Sequence, residues 1–400
     1  MADATLAPFK VLVLNQISAG GLGRLPAGRY VTGKDIAQPD AILLRSADLH
    51  AAEIPTSVLA IGRAGAGTNN IPIAKLSARG VPVFNTPGAN ANAVKELVIA
   101  GLLMAARNLP AALTFVQRLE AAAPDLDKVV EDGKKAFAGT ELAGQTLGVV
   151  GLGKIGCLVA DAAIKFGMNV LGHDPEITVD AAWSLPSQVK RANSVAEVLR
   201  NAQFVTLHVP LVAATRDLVN NDNVGLMRPG AVLLNFSREG VVNDAAVLAA
   251  FERGALGRYV CDFPSAAVHG HAKVIALPHL GASTREAEEN CAVMVADQLR
   301  DFLEHGNVVN AVNFPAVAMA RESSHRVAIA NANVPNMLGQ ISTAMARNGL
   351  NIHNMVNKSR GDMAYTLVDV DSPVSPAVLA DIGSIQGVLS VRSLPERGND

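Results

Sequence analysis

The chain has 400 residues, half of them hydrophobic and 18% charged, with a formal net charge of -2. At roughly 100–200 residues per domain, this length holds two to three domains with sizeable cores, and the composition excludes a disordered chain. With no basic block or acidic tail, neither nucleic acid nor an anionic membrane is expected as the main partner.

The opening residues Met1 to Lys10 show no charged start followed by an apolar run. No apolar stretch approaches about 18 residues, so neither a signal peptide nor a membrane span is expected. Cys157, Cys261 and Cys291 are scattered. They fit neither a disulfide framework nor a zinc pattern, so they read as small buried residues in a reducing cytoplasm, with no metal site.

In chain order, Phe9 to Asn15, Ala41 to Leu44 and Val58 to Arg63 read as strands. Lys75 to Arg79 reads as a helix end closed by Gly80, and Val81 to Asn85 as a further strand. Such alternation predicts a parallel α/β sheet. Asn92 to Asn108 is an apolar helix ended by Pro110. A second α/β series follows, with strands Thr146 to Val150, Asn169 to Gly172, Phe204 to Val209, Val232 to Phe236, Tyr259 to Cys261 and Val274 to Ala276. Helices Ile155 to Phe166, Val195 to Asn201 and Ala245 to Arg253 lie between them. Ser283 to Glu304 is long enough to be a helix connecting domains, and Asn307 to Ser323, with Pro315, reads as a linker. From His325 the order is strand, helix, two strands, helix and strand, which predicts a ferredoxin-like βαββαβ module.

The stretch TLGVVGLGKIG from Thr146 puts three glycines directly after a strand and at the mouth of a helix. Gly151 makes the tight turn, Gly153 lets backbone approach a pyrophosphate, and Gly156 permits helix–strand contact. The helix N-terminus offers free amides to the phosphates, as in a Rossmann domain. Asp174, 18 residues past Gly156, can accept the ribose hydroxyls and repels a 2′-phosphate, so the cofactor is predicted to be NAD.

Arg238 follows the strand Val232 to Phe236, and His279 follows Val274 to Ala276. Ligands of open α/β sheets bind beyond such carboxyl ends. A guanidinium there can clamp a 2-hydroxy carboxylate, and an imidazole can take the hydroxyl proton as hydride leaves the same carbon. His208, in His208-Val209-Pro210, reads as lining the cofactor groove without doing chemistry.

GLGKIG, Asp174, HVPL at His208, NFSR at Asn235 and PHLGAST at Pro278, in that order, resemble the D-isomer-specific 2-hydroxyacid dehydrogenases. LLRSADL around Arg45, IGRAGAGTNNI around Arg63 and NTPGANANAVKEL from Asn85 are similar to the members acting on 3-phospho-D-glycerate. The C-terminal module resembles the ACT domain that many of these carry. The resemblance implies a discontinuous, flavodoxin-like substrate domain over 1–95 and 286–312. It also implies a Rossmann-type NAD domain over 96–285, a linker over 313–324 and an ACT-like domain over 325–400. It carries Gly151, Gly153, Lys154, Ile155, Gly156, Asp174, His208, Val209, Pro210, Phe236, Asp262, Gly281 and Ala282 to the cofactor, with Asp262 on the nicotinamide carboxamide. Arg238 and His279 become the catalytic pair, and Arg45, Ser46, Arg63 and Gly65 receive the phosphate or carboxylate end. Asn331, Asn333 and Asn351 match an effector site for L-serine. The implied reaction is NAD-dependent oxidation of 3-phospho-D-glycerate to 3-phosphohydroxypyruvate by a homodimer or homotetramer.

There are departures from the family pattern. The carboxylate that normally partners the catalytic histidine is absent: the segment runs Asp262-Phe263-Pro264-Ser265-Ala266-Ala267-Val268, and no acid recurs before Glu286. His279 is then expected to work without it, unless Glu239 reaches across. Glycine also does not directly follow Arg238, and Asn336 stands where glycine usually follows proline. Two other readings stay open: a glyoxylate or hydroxypyruvate reductase of the same family, and a non-catalytic NAD sensor.

Overall fold

The computed structural model describes residues 7–120 and 125–395; residues 1–6, part of the stretch read for a signal, lie outside these. The chain divides into two compact units, residues 1–90 with 288–400, and residues 91–287.

The first unit opens with strands β1 (Phe9–Val13), β2 (Tyr30–Gly33), β3 (Ala41–Leu44), β4 (Ala60–Arg63) and β5 (Val83–Phe84). They pair in parallel in the order β2-β1-β3-β4-β5, the flavodoxin-like arrangement. All four residues of β3 are buried, which explains its continuous apolar run. β2 was not legible in the sequence: it is a short edge strand with Val31 and Thr32 exposed.

The second unit holds β6 (Thr146–Val150), β7 (Asn169–His173), β8 (Lys190–Arg191), β9 (Phe204–Leu207), β10 (Ala231–Asn235), β11 (Leu256–Cys261) and β12 (Val274–Ala276). Their order is β12-β11-β10-β9-β6-β7-β8, all parallel. That is the doubly wound Rossmann order with one strand added at the β11 edge. The expected helix to Asn108 stops instead at Ala106, and Leu109–Gln117 leaves it at 69°. Asn108 breaks it by adopting φ 52, while Pro110 falls in the first turn of the next helix, where a missing N–H costs nothing. Among the described residues, no single helix is long and apolar enough to cross a membrane. Cys157, Cys261 and Cys291 are all free and buried.

The chain then returns to the first unit. β13 (His325–Ala332), β14 (Ile352–Arg360), β15 (Met363–Val370) and β16 (Val388–Ser393) form an antiparallel sheet in the order β14-β15-β13-β16. This is the ferredoxin-like pattern, with helices Met337–Arg347 and Pro376–Gly383 covering one face. The other face does not meet solvent. Ala328, Tyr365 and Leu367 share one core with Val11, Leu43 and Phe84 of the first sheet and with Phe302 of helix Arg285–His305. Residues 313–324, expected as a linker, differ from a solvated tether: Phe314 and Val317 are fully buried, and Val308 bridges to Val317.

Arg326, fully buried, fastens this junction. Its Nε and Nη2 donate to the Asp369 carboxylate at 2.6 and 2.8 Å. Nη1 donates to the carbonyls of His305 and Met319, and Nη2 to that of Ala320. All five donors of the guanidinium are therefore used.

Asp369→Asn would leave Arg326 buried without its counter-charge. Urea unfolding is expected to show a loss of about 3–5 kcal/mol; an unchanged midpoint contradicts this account. Burial alone pushes the Asp369 pKa up, but the Arg326 guanidinium outweighs it and holds the carboxyl below its usual range. A depressed folded pKa means this stabilisation is present above roughly pH 4 and is lost as pH falls through the folded value.

Candidate functional site

At the end of β6, Gly151 adopts φ 90, and a Cβ there would lie 2.5 Å from the His208 carbonyl oxygen. At Gly156 a Cβ would lie 2.0 Å from the Gly151 oxygen, so helix Lys154–Lys165 can start only on glycine. Around Gly153 nothing stands within 4 Å of such a position. Two glycines are thus required by the protein's own packing, and the third faces open space of the kind a pyrophosphate needs. Lys154 and Ile155 form the first turn of that helix.

Asp174 closes this end: its Oδ2 accepts the Leu152 amide at 2.8 Å and its Oδ1 the Glu176 amide at 2.9 Å. Each oxygen keeps a further lone pair for a ribose hydroxyl. His208 hydrogen-bonds Thr206 through Nε2, while its buried Nδ1 has no partner. Burial pushes its pKa well below the usual imidazole range, so it is a neutral lining group. Val209 packs 3.0 Å from the Gly151 Cβ position, and Pro210 is exposed beside it. Phe236 corrects the sequence expectation. It is 4% exposed and points into the core, 2.9 Å from the Cβ position of Gly101, so its side chain is not on the cofactor face.

The strand ends carrying Arg238 and His279 are joined by hydrogen bonds. Buried Asn235 ends β10; its Nδ2 donates to the Arg238 carbonyl, and its Oδ1 accepts from the Ser237 amide and hydroxyl. The Asn235 carbonyl accepts the Asp262 amide at 3.1 Å. Asp262, 1% exposed, accepts the Leu280 amide at Oδ1 and the Gly281 amide at Oδ2, both at 2.7 Å. Its carbonyl accepts the His279 amide at 3.1 Å. Through these bonds Asp262 holds the His279 loop, with Ala282 following. Burial pushes its pKa up, and the two amides partly offset this.

His279 is held at φ 56, a backbone region that costs a non-glycine residue on the order of 1–3 kcal/mol and is found at functional sites. Its exposed ring packs against Phe263, with centroids 4.7 Å apart and planes at 54°. Among the described residues, neither His279 nor Glu239 forms an ion pair, so Glu239 does not replace the missing carboxylate here. Arg238 is exposed, donates to the Ser237 carbonyl and has no carboxylate partner among the described residues. The glycine shifted from the family position sits at Gly240, φ 80.

In the first unit Arg45, Ser46 and Arg63 come together around a residue that the sequence reading missed. Asn15, φ 67 at the end of β1, accepts the amides of Arg45, Ser46 and Ala47 on its single Oδ1. Arg63 donates to the Arg45 carbonyl and lies over Gly65, where a Cβ would be 1.8 Å from its Nη1. Arg45 also pairs with Glu288 at 2.8 Å. With both side chains more than a third exposed, that surface pair can be displaced at little cost.

The three asparagines of the C-terminal module are not brought together. Asn331 lies opposite Ala364 on β15, and the Asn333 amide bonds the Asp362 carbonyl. Asn351 pairs with Asp371 at the far end of that strand, roughly 20 Å away. Asn331 is 1% exposed with a buried, unpartnered Oδ1. Asn336 adopts φ 65, the left-handed geometry that glycine would otherwise supply and asparagine tolerates.

Residues 99–281 match the family described as D-isomer specific 2-hydroxyacid dehydrogenase, NAD binding domain. The chain is 31% identical over 348 residues to D-3-phosphoglycerate dehydrogenase of Methanocaldococcus jannaschii, covering 83% of this chain and 62% of that one. It is 34% identical over 327 residues to that of Bacillus subtilis, covering 77% and 60%. The chain therefore spans about three-fifths of these relatives' length. In fold it is similar to the NAD+-bound 3-phosphoglycerate dehydrogenase of Entamoeba histolytica, with a TM-score of 0.60, 24% identity and coverage of 76% and 99%.

Gly153→Ala separates packing from ligand space. Thermal unfolding is expected to stay unchanged, while titration of NADH fluorescence shows affinity weakened on the order of tenfold or more. Equal affinity would contradict the placement of the pyrophosphate over Gly153.

Proposed function

We propose that the chain, whose residues 99–281 match the NAD-binding domain of the D-isomer-specific 2-hydroxyacid dehydrogenases, oxidises 3-phospho-D-glycerate to 3-phosphohydroxypyruvate. The observation that carries the reading is the hydrogen-bonded line from Arg238 through Asn235 and Asp262 to His279. It presents one guanidinium and one imidazole from the ends of β10 and β12, the two strands that flank β11. NAD, when bound, supplies the acceptor for the hydride leaving C2. Arg238 holds the substrate carboxylate in a charge-assisted pair, orienting C2. His279 takes the proton of the 2-hydroxyl as the carbonyl forms.

A phosphorylated substrate is favoured by the first unit. The Arg45 side chain, the Ser46 hydroxyl and Arg63 over Gly65 form a set of donors, with Asn15 holding the loop through the Arg45 and Ser46 amides. Guanidinium groups suit a phosphate because their fork matches its oxygens. Glyoxylate and hydroxypyruvate lack a phosphate to engage this set. The sensor reading has one observation behind it, that the segment after Asp262 carries no acid before Glu286 and His279 forms no ion pair among the described residues.

The effector reading also takes a specific form. Asn331 and Asn333 are too far from Asn351 to share a ligand within one chain, so an L-serine site would need two copies. β14 is an open, largely unburied edge available for such pairing.

His279→Gln is expected to lower the rate of NADH formation from 3-phospho-D-glycerate by about 10²–10⁴-fold while NADH binding is retained. A variant as fast as the parent removes His279 from the reaction. Isothermal titration with L-serine is expected to give heat that Asn331→Ala abolishes. No heat and no change in rate would remove the effector reading.

A further inference from the structure

A cavity of about 110 Å³ lies within the first unit, between the segment around Arg79 and the C-terminal sheet at Arg392. Its walls carry these two guanidinium groups and no carboxylate. Neither arginine forms a salt bridge among the described residues. A larger surface pocket nearby in the chain behaves differently: its Arg24, Arg29 and Arg300 stand among Asp297, Asp301 and Glu304 and are largely neutralised.

Both cavity arginines are held in place by carbonyl groups. Arg79 donates from Nη1 to the Ile54 oxygen at 3.0 Å and from Nη2 to the Pro55 oxygen at 2.7 Å. Arg392 donates to the carbonyls of Leu303 and Phe302, and its guanidinium stands 4.3 Å over the Phe302 ring. Each therefore spends two of its five N–H groups on carbonyls, and Arg392 also interacts with the Tyr365 hydroxyl. Carbonyl dipoles and a ring face orient a cation without cancelling its charge. Burial pushes the Arg392 pKa down, and Tyr365 with the more distant Asp40 carboxylate only partly offsets this. Charges taken from water are normally paired.

The seam closes at one end, where Ser390 Oγ donates to the Gly80 carbonyl at 3.2 Å. A Cβ on Gly80, φ 71, would lie 2.5 Å from that hydroxyl. Beyond this contact the cavity has room for about three or four waters at about 30 Å³ each. That suits a small oxyanion and is too little for a nucleotide or a sugar phosphate.

We propose that this seam binds a small tetrahedral oxyanion of the phosphate or sulfate type, bridging Arg79 at the end of helix Ile73–Ala78 and Arg392 on β16. The bound ion supplies the missing negative charge and ties the C-terminal sheet to the flavodoxin-like sheet's side. The site is separate from Arg45 and Arg63 and does not depend on the reaction proposed above.

Thermal unfolding in inorganic phosphate, against sodium chloride of equal ionic strength, is the first test. A rise of about 3 °C or more is expected at tenfold excess over Kd. It should vanish in Arg79→Gln and in Arg392→Gln and persist in Arg45→Gln. No rise, or a rise lost in Arg45→Gln and kept in both seam variants, overturns the proposal. An acetate arm distinguishes geometry: stabilisation by acetate and not by phosphate overturns the tetrahedral assignment. Crystals of the unaltered chain soaked in selenate avoid any folding defect in the variants. An anomalous peak between Arg79 and Arg392 supports the site, and an empty seam at saturating selenate overturns it.

Discussion

The amide hydrogens of Leu280 and Gly281 both meet the carboxylate of Asp262, and the end of the NAD-binding unit that carries Arg238 and His279 depends on that contact. Asp262 itself continues β11 past Cys261 and is tied to Asn235 of β10 by a main-chain hydrogen bond. Two parallel strands thereby fix a loop on each side, one bearing Arg238 and the other His279. Burying a carboxylate is expensive unless its lone pairs are met, and here two short amide contacts meet them. The strained backbone of His279 is sustained by the same bonds.

This arrangement gives a physical answer to the missing histidine partner. A carboxylate beside an imidazole does two separable jobs: it orients the ring and it favours the charged form. In this chain orientation comes from the Asp262-anchored backbone and from the Phe263 ring face. The one carboxylate that interacts electrostatically with His279 among the described residues is Asp262 itself, and it forms no ion pair with the ring. In the first unit, Asn15 plays a comparable part, gathering three consecutive amides on one oxygen so that Arg45 and Ser46 stay in place.

Much of the fold was legible because its strands are short apolar runs punctuated by glycine, as at Val149–Gly151 and Val83–Phe84. β2 and the helix Leu109–Gln117 escaped that reading. The first is an edge with polar neighbours; the second begins at a left-handed asparagine and places a proline where it helps a helix start. The glycine turn and Asp174 were legible from spacing alone, since Gly151 and Gly156 are demanded by contacts two or more residues away. Phe236 follows the end of β10, and the packing of its ring toward Gly101 is a tertiary contact that no local pattern encodes. Asn15 and the amide contacts of Asp262 likewise depend on tertiary hydrogen bonds. The buried course of 313–324 was equally hidden: Phe314 and Val317 look isolated in sequence and are packed only because the C-terminal sheet shares its core with the first sheet.

That shared core makes the C-terminal module part of the first unit, with Arg326 and Asp369 as its fastening. The central claim, however, concerns chemistry at Arg238 and His279 on a phosphorylated acid. It is tested most directly by following NADH absorbance on adding 3-phosphohydroxypyruvate, with hydroxypyruvate and glyoxylate in parallel. The account predicts rapid oxidation of NADH with the phosphorylated acid and much lower kcat/KM with the other two. A flat trace from protein that demonstrably binds NADH, or equal efficiency on glyoxylate, would contradict it.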